Sequence, residues 1–191
     1  MRILVLPSLL FATVATAQQV NTVLQASIRY VATEANAPPG ACGCFLLQGA
    51  AADVALPVAK HFSAVVELGG VTVHRVPGSP RGLSELTLLA GPRYTQPLGR
   101  VRLNVQALFG AVRGFDSDFT VTPTTHTDTS TNFATTLGGA LDVPMTRTFS
   151  LRAAQVEFLQ TNLPNGVDNR QRNIRFGAGV VLNFRVPSGH R

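Results

Sequence analysis

The amino-acid sequence predicts an all-β fold in which eight antiparallel strands close into an up-and-down barrel. Three observations lead to this fold class. Apolar and polar residues alternate with a period of two in eight separate segments, which is the pattern of strands rather than helices. The chain of 191 residues is 45% hydrophobic and contains 17 Gly and 12 Pro residues, which supply turns. The connections between the segments are alternately long and short, as in a barrel whose two ends differ.

The first 17 residues have the features of a secretory signal peptide. Arg2 supplies a positive start, residues 3–14 are largely apolar, and Ala15 and Ala17 fit an A-x-A cleavage site. The alternative is an uncleaved membrane anchor, but the apolar stretch is too short to span a bilayer as a helix. We therefore expect residues 1–17 to be removed on export, residues 18–184 to form the barrel and residues 185–191 to be a C-terminal tail.

Each predicted strand has one face of large apolar residues and one face of polar or small residues. The eight segments are residues 24–30, 45–56, 63–68, 85–94, 101–111, 133–143, 153–158 and 173–184. The second is the least regular, because Gln48 and Asp53 fall on opposite faces. Either one of them lies at a rim, or a β-bulge resets the register there.

The connections predict which end of the barrel faces outwards. Short turns are predicted at residues 57–62, 95–99 and 144–149, and longer polar loops at residues 33–44, 75–83, 114–130 and 162–169. Transmembrane barrels place short turns on the periplasmic side and longer loops on the extracellular side. Four loops and three turns join eight strands with both termini on the side of the turns.

The bulk of the apolar face decides whether the charged face of the strands is the interior. The mid-strand charges of the polar face are Arg29, Asp53, Glu67, Glu85, Arg93, Arg102, Asp142, Glu157 and Arg175. A soluble lipocalin-like barrel would turn them to water and its apolar face inwards. However, an eight-stranded barrel is only wide enough to be filled by side chains, and the apolar face is too bulky for that space. We therefore predict a transmembrane barrel with lipid-facing aliphatic residues and a lumen filled by paired Arg and carboxylate groups.

Other arginines are predicted to lie on the outside. Arg113, Arg152 and Arg172 share the parity of the apolar face and are expected to reach the headgroup level. A basic rim of Arg75, Arg81, Arg113, Arg170 and Arg172 would lie at the height of lipopolysaccharide phosphates, with an ordinary solvated surface as the alternative. The net charge is +6, but no basic run is present, so nucleic acid is not expected as a partner.

Two groups of residues could carry chemistry. Cys42 and Cys44 could form a loop disulfide, remain free thiols or form an intermolecular bond; a metal site would need further ligands. His126, Asp128 and Ser130 have the residue types of a hydrolase triad, but they lie in a Thr-rich segment without nucleophile-elbow glycines. A solvated loop is the favoured interpretation, and we expect no catalytic residue, metal or cofactor.

Several stretches resemble a known family. They include residues 42–45 (CGCF), 89–94 (LAGPRY), 107–110 (ALFG) and 137–142 (LGGALD), together with the final strand. These are similar to the small eight-stranded outer-membrane barrels of the OmpA/OmpX type, and the resemblance covers nearly the whole chain after residue 17. In that family, Gly179, Leu182 and Phe184 would belong to the signal read by the barrel assembly machinery, although the chain continues past the aromatic residue.

The resemblance implies a monomeric, non-enzymatic protein of the outer membrane of a Gram-negative-type bacterium. Its expected partners are outer-membrane lipids, lipopolysaccharide and the assembly machinery, and its expected role is structural or surface interaction. The first alternative is a narrow porin-like channel for ions or small solutes. The second is a lipid A-modifying hydrolase.

Overall fold

Ten β-strands lie within the part of the chain that the computed structural model describes, which comprises residues 23–37, 43–77, 79–122, 124–166 and 168–185. The strands are β1 (Val23–Ala37), β2 (Gly43–Pro57), β3 (Phe62–Val73), β4 (Leu83–Leu98), β5 (Val101–Phe115), β6 (Phe119–Thr122), β7 (Thr125–Thr127), β8 (Ser130–Pro144), β9 (Phe149–Thr161) and β10 (Gln171–Arg185). The predicted signal peptide, Cys42 and most of the predicted tail lie outside the described residues. Within them, no helix is long and apolar enough to cross a membrane.

Eight of these strands form a closed barrel, which confirms the predicted fold class. The order around the barrel is β1-β10-β9-β8-β5-β4-β3-β2, and every neighbouring pair is antiparallel. The first and last barrel strands close the cylinder in a continuous register from Val23 opposite Arg185 to Glu34 opposite Ile174. Closure pairs both edges of every barrel strand, so that no edge is left to recruit another chain.

The two ends of the barrel differ in their connections. At one end, called here the turn end, residues 58–61, 99–100 and 145–148 join the strands. The tightest of these turns uses Gly99, whose φ of 61° is accessible at little cost only to a residue without a side chain. At the other end, the loop end, residues 38–42, 74–82, 116–129 and 162–170 make the longer connections.

A β-bulge in β9 changes the predicted assignment of one arginine. Leu141 pairs with Ala154 and Asp142 pairs with Arg152, so Ala153 is an extra residue without a partner on β8. Ala153 and Ala154 both face outwards. Inward and outward residues therefore exchange parity there, so that even-numbered residues face inwards before the bulge and odd-numbered residues after it. Arg152 therefore faces the lumen, and the prediction that it reaches the headgroups from the outer face is wrong.

Apolar side chains close the lumen towards the loop end. Phe119 begins the short β6–β7 hairpin, which the sequence analysis predicted as polar loop, and Leu163 follows β9. Both are buried in one cluster with inward-facing residues of the barrel such as Val112 and Leu159. A Cβ atom on Gly114 would lie 2.5 Å from the Phe119 ring, so the absence of a side chain there makes room for the ring.

The bulge yields a test by deletion. Removing Ala153 restores regular alternation and leaves Arg152 facing the lumen, so we expect this variant to refold and to unfold cooperatively in urea, as followed by circular dichroism. The comparison is deletion of Val66 in β3, whose pairings contain no register shift. That deletion turns one part of β3 to the opposite face, either the part before Val66 or the part that carries Glu67, and should abolish folding. Loss of folding in the Ala153 deletion would contradict the assigned bulge.

Candidate functional site

Nine charged side chains are buried inside the barrel, and none is more than 3% exposed. They are Arg29, Asp53, Glu67, Glu85, Arg93, Asp142, Arg152, Glu157 and Arg175. Eight of these positions belong to the set that the sequence analysis assigned to the lumen, and Arg152 is the addition. All four arginines and four of the carboxylates are joined by ion pairs into one group, called here the charge network. Glu85 is outside it.

Arg102 is the predicted lumen residue that does not join the charge network. It is only half-buried, near the turn end, and its guanidinium group donates a hydrogen bond to the Ser150 hydroxyl. Arg102 pairs with Asp142 across the sheet, but the arginine that binds the Asp142 carboxylate is Arg152. Its Nε donates to Asp142 Oδ1 at 2.8 Å and its Nη2 to Oδ2 at 3.2 Å, which is a bidentate pair.

Asp53 is the centre of the charge network. Its Oδ1 accepts a hydrogen bond from Arg93 at 2.9 Å, and its Oδ2 accepts from Arg29 at 3.0 Å and from Arg152 at 3.2 Å. The hydroxyl of Ser27 also donates to Oδ2. One carboxylate on β2 thus binds side chains from β1, β4 and β9. Three guanidinium groups can lie this close together only because the carboxylate between them offsets their mutual repulsion.

Glu67 joins two arginines of the charge network, Arg29 and Arg175. Its Oε2 accepts from Arg29 at 2.6 Å and its Oε1 accepts from Arg175 at 2.9 Å. Arg29 and Arg175 also lie 3.6 and 3.7 Å from the Glu157 carboxylate. The charge network contains four positive and four negative groups, so its net charge is zero.

Neutral side chains form further hydrogen bonds with the charged groups of the charge network. Gln106 on β5 accepts from Arg93 Nε at 2.8 Å and donates to Glu157 at 2.7 Å, and Asn104 donates to Asp142 at 2.8 Å. With these amides, every one of the eight barrel strands contributes a side chain to the polar interior. A small residue provides space: a Cβ atom on Gly69 would lie 3.5 Å from Arg175 Nη2 and 2.8 Å from the Thr87 hydroxyl.

The outer surface of the barrel is apolar, in contrast to the interior. Neighbouring residues show the difference directly: Val65 is 1% exposed and Val66 is 54% exposed, and Leu89 is 1% exposed and Leu88 is 56% exposed. The same alternation exposes Ile28, Val54, Leu68, Leu86, Leu103, Val105, Phe109, Phe133, Leu137, Leu141, Leu151, Val156, Phe158, Ile174, Phe176 and Leu182. This apolar band surrounds the barrel, because all eight strands contribute to it.

A row of polar residues borders the apolar band on the side of the loop end. Gln48 is exposed and accepts a hydrogen bond from the Tyr30 hydroxyl at 2.8 Å. It pairs across the sheet with Thr72, whose hydroxyl lies 2.9 Å from that of Ser84. Strand β2 has no register shift, so Asp53 faces inwards and Gln48 outwards. Of the two alternatives left open by the sequence, the rim position is the correct one.

The five arginines of the predicted basic rim lie at the loop end, and all are exposed. Arg113 and Arg172 end the outward faces of β5 and β10, whereas the other three are in loops. Arg81 is fixed by a hydrogen bond to the Ser117 carbonyl oxygen. Beside them, the Asn165 side chain and the Arg170 backbone N–H donate to the Asp168 carboxylate and hold its pKa below the usual value.

The residues of the possible hydrolase triad are not brought together. His126 Nδ1 lies 3.1 Å from Asp118 Oδ1, and the Ser130 hydroxyl accepts a hydrogen bond from Asn132. No hydrogen bond joins His126 to Asp128 or Ser130 among the described residues. Cys44 is exposed at the start of β2, but Cys42 is not among the described residues, so the disulfide stays a prediction.

The described part of the chain contains no group of three or more His, Cys, Asp or Glu side chains placed to hold a metal ion. At the C-terminal end, Leu182 and Phe184 of the predicted assembly signal are exposed on the outer face of β10. Gly179, the third residue of that signal, lies so close to β1 that a Cβ atom would be 2.2 Å from the Ile28 carbonyl oxygen.

A cavity of about 300 Å³ opens at the loop end. Its walls include Phe45, Leu83, Phe119 and Leu163. The Glu85 side chain, on β4, lines the cavity from its inner side and also lines a much smaller void shared with Arg175. Sequence reasoning could place Glu85 inside the barrel but could not find the cavity, because two of its walls come from loop residues that were expected to be solvated.

Comparison with solved structures identifies the architecture. The attachment invasion locus protein Ail of Yersinia pestis, solved with the heparin analogue sucrose octasulfate, matches with a TM-score of 0.57 and 12% identity, over 86% of this chain and 100% of that chain. Neisserial surface protein A (NspA) matches with a TM-score of 0.55 and 13% identity, over 86% and 98%. The chain shares the fold of these two barrels. No family model and no curated protein matches its sequence.

Asp53→Asn tests the centre of the charge network. The substitution keeps the shape but leaves three arginines without their shared counter-charge, and we expect the free energy of unfolding to fall by about 3–5 kcal/mol. Urea denaturation of the refolded barrel in detergent measures it. Asp128→Asn removes the same charge at an exposed loop position and should change the value by less than about 0.5 kcal/mol. Equal stability of the two variants would contradict the assigned role of Asp53.

Proposed function

We propose that this protein is an integral outer-membrane β-barrel with a closed lumen and a non-enzymatic structural or surface-interaction role. The observation that carries the proposal is the apolar band, which encircles a barrel whose charged groups are buried inside. In water this arrangement would expose far more contiguous apolar surface than the few hundred Å² typical of soluble monomers. In a bilayer, the same residues contact acyl chains and the backbone is fully paired within the closed sheet.

The strand lengths agree with a membrane span and leave part of the barrel outside it. A tilted transmembrane strand needs about 9–11 residues. The barrel strands contain between 12 and 16 residues, so several residues of most strands extend beyond the hydrocarbon layer. The polar row Gln48–Thr72–Ser84 supports an extension of the barrel at the loop end. The loop end, with its cavity, then projects from the outer face of the membrane, because long loops face outwards in such barrels.

The exposed arginines at the loop end support contact with lipopolysaccharide. Arg113 and Arg172 face outwards just beyond the apolar band, where phosphate groups of the outer leaflet would lie. Guanidinium groups bind phosphate through two parallel hydrogen bonds, which favours arginine over lysine at such positions. The loops above the barrel would provide the contact area for a surface-interaction role.

Contact of the apolar band with lipid can be tested on one strand. Val66→Arg places a charge in the middle of the outward face of β3, whereas Thr72→Arg places it on the same face within the polar row. In phospholipid vesicles we expect Val66→Arg to lower the free energy of unfolding by about 2–4 kcal/mol and Thr72→Arg by about 0–1 kcal/mol. Urea titration of the folded fraction measures both. Equal effects would contradict insertion in the proposed orientation.

The charge network and the apolar cluster above it favour a closed lumen over a channel. Eight ionised groups and their amide partners fill the middle of the barrel, and Phe119 and Leu163 close it towards the loops. We expect a flat current baseline when the protein is reconstituted into planar bilayers, and no change on Glu67→Gln. Discrete conductance steps whose size changes with Glu67→Gln would instead favour the porin-like alternative.

A further inference from the structure

Glu85 is the one buried charge that the charge network leaves without a partner. Its side chain is 3% exposed, and no ion pair or hydrogen bond joins it to another described residue. Along β4, Glu85 lies four residues nearer the loop end than Leu89, which is paired across the sheet with Glu67. At about 3.3 Å per residue this is roughly 13 Å from the level of Glu67. The charge network is neutral without Glu85, so an ionised Glu85 adds a negative charge that the charge network does not balance.

Arg175 is the nearest candidate for that counter-charge, but its bonds are directed elsewhere. Its Nη2 donates to Glu67 and its Nε lies 3.7 Å from Glu157. Arg175 and Glu85 line a void of about 10 Å³ without forming an ion pair, and Arg175 Nη1 is buried without a hydrogen-bond partner. Arg175 is shared with two other carboxylates, so Glu85 remains costly to bury unless it is protonated or a cation approaches it.

The cavity at the loop end gives a cation access to Glu85. Two buried oxygen atoms among the residues that line this cavity accept no hydrogen bond from the protein, Glu85 Oε2 and Asn173 Oδ1. Asp118 adds a second carboxylate near the opening. No basic side chain is among the described residues of the lining. Two buried acceptor atoms without a hydrogen-bond partner, beside a carboxylate and with no basic side chain in the described lining, favour a hydrogen-bonding cation over an anion.

The other residues that line the cavity indicate which chemical groups a bound cation would have besides its positive charge. Besides its polar residues, the lining of the cavity includes the apolar side chains of Phe45, Leu83, Phe119 and Leu163. A hydrated inorganic ion gains nothing from such walls, whereas an aliphatic or aromatic group does. The volume of about 300 Å³ is at the lower limit of small-molecule sites in proteins.

We propose that the loop-end cavity binds a small organic molecule with a protonated primary amine and an apolar body. The ammonium group donates to Glu85 and Asn173, and the apolar body lies against Phe45, Phe119 and Leu163. This goes beyond the proposed membrane role and does not depend on it, since the cavity is formed by the barrel and its own loops. Binding would also tie the loops that carry Phe119 and Leu163 to the barrel wall.

The test is calorimetric titration of the full, refolded chain in detergent with 2-phenylethylamine at pH 7.5. The matched probes are 2-phenylethanol, which lacks the charge, and phenylacetate, which reverses it. We expect saturable binding of the amine only, weakened at least tenfold in Glu85→Gln. Glu34→Gln removes the same charge from an exposed site at the loop end of β1 and should leave the affinity within twofold of the parent protein.

Three outcomes would overturn the proposal. They are absence of amine binding up to about 10 mM, ten times a Kd of about 1 mM, equal binding of the alcohol, and equal affinity of the parent protein and Glu85→Gln. A short lysine-containing peptide is titrated in parallel, and binding of the peptide without binding of the amine counts as the first of these outcomes. Urea unfolding of each variant shows that it is folded. These titrations need only a folded barrel. The amine can therefore bind even if Val66→Arg and Thr72→Arg lower the free energy of unfolding equally, which would contradict the membrane assignment alone. The two proposals are thus tested separately.

Discussion

The structure depends on one constraint: charges buried in the narrow interior of an eight-stranded barrel are costly unless they are paired, and eight of the nine buried there are paired with one another. Four arginines and four carboxylates from different strands meet there, and their charges sum to zero. Asp53 holds three of the guanidinium groups at 2.9–3.2 Å. A strand that slipped by one residue would turn its charges outwards and its aliphatic residues inwards, so the charge network and the apolar band fix the same register from opposite sides of the sheet.

Much of this was predictable from the sequence because a strand has a period of two. Alternation in eight segments gave the number of barrel strands, and the lengths of the connections gave the difference between the two ends. The same parity assigned Asp53, Glu67 and Arg93 to the interior before any contact was known. Even the least regular segment, β2, follows the rule, since Gln48 is outward and bonded to Tyr30 at the border of the apolar band.

The parts that the sequence did not predict are those where the period fails or where contacts are distant in the chain. The extra residue at Ala153 shifts the parity of Arg152, and nothing in a run of two alanines marks it as a bulge. Arg102 has the correct parity and pairs across the sheet with Asp142, but its guanidinium group bonds to Ser150 and not to a carboxylate. Phe119 and Leu163 are isolated apolar residues in polar loops, and only the fold brings them together above the lumen. Both line the cavity beside Glu85.

The most direct test of the central claim is the position of neighbouring methyl groups relative to lipid. In bicelles containing a lipid with a spin label in its acyl chain, the methyl NMR signals of Val66 and Leu88 should be strongly broadened. The signals of Val65 and Leu89, one residue away on the same strands, should remain sharp because these side chains face the interior. Equal broadening within each pair, or the reverse pattern, would contradict a barrel with its charges inside and its aliphatic residues against lipid.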